Sequence, residues 1–426
     1  MIYAAAKIGV MLSTFLVIKI LSAHLLPTEY GAYGLIGATI TTTVILSSTF
    51  LMTSILRYLP RALEKRRMRS FKYVTTQIGQ LTLGVTAGLS LVAISLLYTT
   101  GAVVITPFLV LAIIAASVGA VILQIYPSYL NAMRDRSRYS SAVTLQSSLF
   151  VAGLAFGLGV FPDRVATIFW VLAISQSALY FVARPRLRFI RKIIPQTWAT
   201  LREYRQYGLP IVLLHVSIQM NSTLDQYIIR LFGDLHSVGL YAANYTLGEK
   251  AIYGLSSITA LAVTPYLFRQ WESGQQSECF ITIWRFFFLS FGAGAVIVGI
   301  FAMWSGPLAS YVLAPHYLEG AAILPFVTCG AVCLGATAIM AEVFTLKERT
   351  LELALCYLSA AGVNLLSNLL FVPKLGYMGA AYSTLVTYIY LMIVILWRAH
   401  ALVAMFRYLP AAFGFQNSSP GEDAEL

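Results

Sequence analysis

The chain has 426 residues, 58% of them hydrophobic and only 11% charged, against roughly 25% charged in a soluble globular protein. The apolar residues gather in stretches of about 20, enough to cross a bilayer as a helix, which excludes a water-soluble domain and makes lipid the solvent. The net charge of +12 does not point to nucleic acid, because the basic residues sit in short segments between apolar spans.

In chain order, apolar windows predict spans at 3–24, 33–56, 73–98, 103–126, 141–161, 164–183, 207–230, 238–267, 285–305, 320–342, 352–372 and 377–399. The segment to Ala23 is apolar from Ile2, with no basic n-region and no A-x-A site, so it reads as a membrane helix and not as a signal peptide. Alternate loops between the spans hold 23 lysines and arginines, and the other set holds three, Arg164, Arg230 and Lys374. This bias puts the first set in the cytoplasm together with both termini, which requires an even number of spans. The loop at 184–206 is the longest. Its cations interleave with Leu187, Phe189, Ile190, Ile193 and Ile194, the composition of an amphipathic surface helix. The chain ends in a polar, acidic stretch expected to be disordered.

A weak internal repeat runs through these spans. Shifted by 208 positions, Gly31 meets Gly239, Tyr33 meets Tyr241 and Ser48 meets Ser256, and Tyr58, Leu59 and Arg61 meet Tyr266, Leu267 and Arg269. Val160-Phe161-Pro162 resembles Phe371-Val372-Pro373 at an offset of 211. The expected fold class is therefore an all-α membrane protein, with about twelve transmembrane helices in two pseudo-symmetric six-helix bundles related by an axis along the membrane normal. The bundles are 1–183 and 207–399, joined by a basic cytoplasmic linker at 184–206 and followed by a cytoplasmic tail at 400–426.

Three motifs carry a family resemblance. Ala23-His24-Leu25-Leu26-Pro27-Thr28-Glu29-Tyr30-Gly31-Ala32-Tyr33 is a short turn between the first two spans, broken by Pro27 and Gly31. Tyr207-Gly208-Leu209-Pro210 is followed by Asp225 and by Val238-Gly239-Leu240-Tyr241. Asn364-Leu365-Leu366-Ser367-Asn368 leads into Phe371-Val372-Pro373-Lys374-Leu375-Gly376-Tyr377-Met378-Gly379-Ala380-Ala381. In this order, across twelve spans, they resemble the Wzx-type polysaccharide transporters, or O-antigen flippases, of the superfamily that also holds the multidrug extruders. His24 stands where that family usually has arginine, and the family's short amphipathic lead before the first helix is nearly absent. The resemblance implies a V-shaped pair of bundles around a central cavity that works by alternating access in a bacterial inner membrane. The implied substrate is a polyprenyl-pyrophosphate-linked oligosaccharide moved to the outer leaflet for exopolysaccharide or O-antigen synthesis, powered by an ion gradient or the membrane potential. Implied partners are membrane lipids and the polysaccharide polymerase and chain-length machinery.

A pyrophosphate head needs fixed cations in a wet cavity, and a charge at mid-membrane costs about 2.5–3.5 kcal/mol on insertion scales, so a buried lysine points inward. Lys250, midway along the eighth span, is the first candidate for the cavity lining, with a structural ion pair to another helix as the competing reading. Lys19, Lys7, Arg57, Arg230 and His24 follow, with Asn364, Asn368 and Tyr241 as polar lining; snorkelling, interfacial anchoring and helix–helix hydrogen bonding are the competing readings. Glu249 precedes Lys250 by about 100° around the helix, so the two are not expected to point the same way. Asp225, with Glu249, is the candidate for ion coupling, and interhelical hydrogen bonding within the C-terminal bundle is the competing reading of Asp225. Asn221 lies one turn before Asp225, and His215, Gln219, Ser222 and Gln226 form a polar stripe on an adjacent face, which keeps this helix away from lipid. Cys279, Cys329, Cys333 and Cys356 form no C-x-x-C pair, so no metal site is expected. There is no Walker A loop, no HExxH and no GxSxG, so neither a cofactor nor an enzymatic reaction is expected. Other readings are a drug/cation antiporter or a lipid-linked peptidoglycan precursor flippase of the same fold and, further off, a membrane glycan polymerase or ligase.

Overall fold

A computed structural model describes residues 2–66, 68–183 and 195–414, among which there is no strand. The first six long helices are α1 (Ile2–His24), α2 (Pro27–Glu64), α3 (Met68–Thr99), α4 (Pro107–Ala132), α5 (Arg136–Val160) and α6 (Arg164–Ala183). The next six are α7 (Pro195–Phe232), α8 (Leu235–Glu272), α9 (Gln276–Val312), α10 (Leu324–Leu346), α11 (Thr350–Leu375) and α12 (Tyr377–Val403). A 3-10 segment, Pro315–Ile323, precedes α10.

Two expectations at the loops need restating. The helix expected to begin at 207 begins at Pro195, so the second half of the supposed linker is helical. Its charged residues hid this from hydropathy, because the helix continues past the apolar part of its length. The amphipathic stretch at 184–194 and the tail at 415–426 lie outside the described residues. After α12 the chain folds back onto α9, where the Trp284 indole N–H donates to the Met405 carbonyl at 2.8 Å.

The repeat is written in the helix ends. Both ends of α8 lie 208 positions after those of α2. The ends of α1 and α7 and the starts of α3 and α9 keep the same offset. The offset grows to 217 at the starts of α4 and α10, where the 3-10 segment is inserted.

Eight stretches are long and apolar enough to cross a bilayer, including α2–α5, α9, α11 and α12. Parts of α1 and α6 are apolar over a shorter length, and α7 and α8 are absent from both groups. Helices that face protein and water on one side need fewer apolar residues than helices bathed in lipid. The two polar helices are the pair that lines the cavity described below. At 38 residues, or about 57 Å at 1.5 Å per residue, α8 exceeds the roughly 30 Å hydrocarbon core.

Across the two sixes, α2 packs on both α8 and α7. Near the end of the molecule away from the basic loops, α2 and α8 cross with their backbones touching. A methyl group on Gly31 would overlap the Leu235 carbonyl oxygen, and one on Gly239 would overlap the Pro27 carbonyl oxygen. Gly31 and Gly239, like Pro27 and Leu235, are partners in the 208-residue repeat, so the contact is its own mirror across the pseudo-dyad. Around it, the Tyr317 hydroxyl donates to the Leu25 carbonyl at 3.0 Å, and Arg164 donates to the His24 carbonyl. Toward the basic end, α2 meets α7: Tyr58 stacks on Tyr204 at 5.3 Å, and Phe50 lies against Gly208.

Candidate functional site

A cavity of about 270 Å³ lies between α2, α7 and α8. From α2 come only Gly34, Ala38 and Thr41, three small residues spaced four and three apart, so that one helix face is left recessed. Gln219, Ser222, Thr223 and Gln226 of α7 supply amide and hydroxyl groups. From α8 come Tyr245, Thr246, Glu249 and Lys250. The polar stripe read from α7 therefore faces this space at three of its four positions. His215 does not line it; its Nδ1 lies 2.8 Å from the Ile211 carbonyl oxygen, one turn back.

Lys250 sits 15 residues into α8, about 22 Å along it, too deep for its stem to reach the near end. Its ammonium donates to the Glu249 carboxylate at 2.6 Å, with side chains 34% and 18% exposed. This corrects the expectation that the two point apart. The Cα–Cβ bonds do diverge on the helix, but a four-carbon lysine stem swings its head back over a distance that a helical wheel ignores. The cavity thus holds a compact ion pair, not a lone cation.

Asp225 is fully buried and does not line this cavity. Its Oδ2 accepts from the Tyr241 hydroxyl at 2.5 Å and the Thr384 hydroxyl at 2.6 Å. Its Oδ1 accepts from the amides of Asn368 at 2.7 Å and Asn364 at 3.1 Å. Four donors from α8, α11 and α12 thereby converge on one carboxylate of α7. Among the described residues no basic side chain forms an ion pair with it. The amide oxygens of Asn364 and Asn368 are buried without a hydrogen-bond donor. Asn364, Asn368 and Tyr241, expected on the cavity lining, are buried in this cluster and do not line the cavity. Asn221, one turn away, ties α7 to α11 through the Tyr357 carbonyl at 3.1 Å.

The remaining candidates stand elsewhere. Lys19 is exposed, with its ammonium 5.1 Å from the Tyr311 ring centroid on α9. Arg57 lies 4.1 Å over the Tyr207 ring at the basic end. Arg230 donates to the carbonyls of Gly101 at 2.8 Å and Ala102 at 3.0 Å, clamping α7 to the turn after α3. His24 places Nδ1 2.9 Å from the Ile20 carbonyl oxygen at the end of α1. The Lys7 side chain lies outside the described residues. Thr384, Thr246 and the small α2 face were not singled out from sequence. The four- and three-residue spacing of Gly34, Ala38 and Thr41 was the available signal.

A sequence profile of the family described as polysaccharide biosynthesis protein matches residues 1–271, from α1 through nearly all of α8. No curated protein matches the sequence. Among solved structures, an inward-facing multidrug resistance MATE family transporter of the MOP superfamily aligns with a TM-score of 0.68 at 15% identity, covering 95% of this chain and 99% of its own. The lipid II flippase MurJ, in an inward closed conformation, aligns at 0.64 and 12% identity over 97% and 90%. The Vibrio cholerae MATE transporter VcmN in its bent form aligns at 0.56 and 15% identity over 97% and 98%. At these identities the likeness is one of fold.

Proposed function

The chain belongs to the polysaccharide biosynthesis protein family, and from that premise we propose that it is a flippase for polyprenyl-pyrophosphate-linked oligosaccharides. In this reading it carries repeat units from the cytoplasmic to the outer leaflet of a bacterial inner membrane by alternating access, with both termini and the basic loops in the cytoplasm. The observation that carries the reading is the polar cavity between α2, α7 and α8 with the Lys250–Glu249 pair on its wall. A pyrophosphate displaces Glu249 from the ammonium, and the released carboxylate and the amides of Gln219 and Gln226 hydrogen-bond the sugar hydroxyls. Such an exchange binds a charged head without an isolated buried cation, and weakly enough for release. The recessed α2 face leaves room for the first sugars. Partnership with a polymerase and chain-length machinery follows from the same role.

Asp225 is the proposed coupling site. A half-turn of the Asn364 amide replaces its N–H donor to Asp225 by its unpartnered oxygen, whereas Asn368 is held as a donor by the Asn364 carbonyl at 2.9 Å. Asp225, Asn364 and Thr384 then offer three oxygens, the chemistry that holds a small hard cation; a proton on Asp225 satisfies the same group. The multidrug neighbours raise the alternative of drug/cation antiport. A cavity for organic cations calls for unpaired acid, whereas Glu249 here is bound to Lys250.

Reconstitution in liposomes with defined polyprenyl-pyrophosphate glycans tests the proposal. The glycan should become accessible on the far side faster than in protein-free vesicles, and faster still with a proton or sodium gradient. Equal rates with and without the protein would reject it.

A further inference from the structure

Across the α2–α7 wall from the polar cavity lies a second space, of about 350 Å³, bounded by α2, α3 and α7. Its walls include Leu46, Leu89, Val92, Leu96, Val216 and Met220. Threonines on its α2 side contribute little polarity, because the Thr39 and Thr42 hydroxyls donate to the carbonyls of Leu35 at 2.8 Å and Ala38 at 2.9 Å. Along this stretch α2 and α7 are pinned at two points, by the Thr39–Tyr227 hydroxyl contact of 2.7 Å and by Phe50 against Gly208. Between those pins lies the slot. Gln219 and Thr223 of α7 border both the slot and the polar cavity. On the outer side Leu46, Val92 and Leu96 are 47%, 59% and 61% exposed, so the slot opens toward the bilayer.

Two adjoining spaces of opposite character, sharing one wall, match an amphiphile with a polar head and an apolar tail. We infer that the slot between α2, α3 and α7 holds the head-proximal part of a polyprenyl chain whose pyrophosphate-linked head occupies the polar cavity, an inference that rests on the lipid-linked substrate proposed above. A head held about 22 Å along α8 must have a path for its tail into lipid, and the slot supplies that path at the seam between the two sixes. The tail gains no hydrophobic energy there, since lipid is equally apolar. What the slot adds is packing against a chain already tethered by its head, at high effective concentration. A soluble drug has no use for such an exit.

Photocrosslinking tests the assignment. The full-length chain, in proteoliposomes, carries a photoreactive phenylalanine analogue at Val92 on the slot, or at Leu91, which is 52% exposed but off its wall. The probe is tritiated long-chain polyprenyl pyrophosphate. Labelling at position 92 should exceed that at 91 several-fold, and unlabelled probe but not phosphatidylglycerol should compete it away. Met220→Trp, which fills the slot, should lower labelling at 92 and raise the half-saturating probe concentration about tenfold, with melting temperature unchanged. Equal labelling at 91 and 92, or equal competition by phosphatidylglycerol, means bulk lipid in the slot and overturns the inference alone. Absence of saturable probe binding by the wild-type chain removes the lipid-linked reading and the slot with it.

Discussion

Replacing Asp225 by alanine would leave four donors on three helices facing one another in a dry core, at about 1–3 kcal/mol for each that finds no new acceptor. Asp225→Ala is therefore expected to reduce folded yield and melting temperature. Asp225→Asn keeps the shape and one acceptor, and should fold while losing dependence on the ion gradient. Transport that still follows the gradient in the asparagine variant rejects the coupling role. Lys250→Ala removes the group that a pyrophosphate would take from Glu249. Transport should fall by roughly tenfold or more, the equivalent of one charge-assisted hydrogen bond, at near-normal abundance, whereas Glu249→Gln should fall less. Full transport by a normally expressed Lys250→Ala protein would remove it from the cavity role. Sequence exposed each of these residues, because a polar group in an apolar window is conspicuous. It did not expose the company they keep: Asn364 and Thr384 lie 139 and 159 positions from Asp225, and spacing along one helix carries no information about another.

At the scale of elements, hydropathy found every span but set its limits by lipid contact, not by hydrogen bonding. Arg202, Glu203 and Arg205 concealed the first turns of α7, while the 208-residue offset, weak as residue identity, reappears in the ends of α1, α2 and α8. The same offset explains why Gly31 and Gly239 both lack a side chain: each lies under the carbonyl of the other's helix start. Gly239→Ala should force α2 and α8 apart at that crossing. Thr41→Cys on the cavity wall should then react several-fold faster with a membrane-impermeant thiol reagent added from the side of the non-basic loops. An unchanged rate would show that the crossing does not limit access to the cavity.

For the molecule as a whole, the charge asymmetry gives a direct expectation. Cysteines placed in the turns at 65–66, 134–135 and 273–275 should be protected from impermeant reagents in intact cells, and those at 101–103 and 233–234 labelled; the reverse pattern would invert the topology. The polar cavity and the apolar slot both lie where the two sixes meet, so any rocking of one six against the other changes both together. Such rocking must part α2 from α8 at the glycine crossing, and what happens there depends on what the contact lacks. Interlocked side chains must be drawn from their sockets one rotamer at a time, and they resist separation and realignment. Backbone resting on backbone has nothing to unthread. The joint can shut tightly and still come apart with little friction, much as two smooth faces release where two combs would catch.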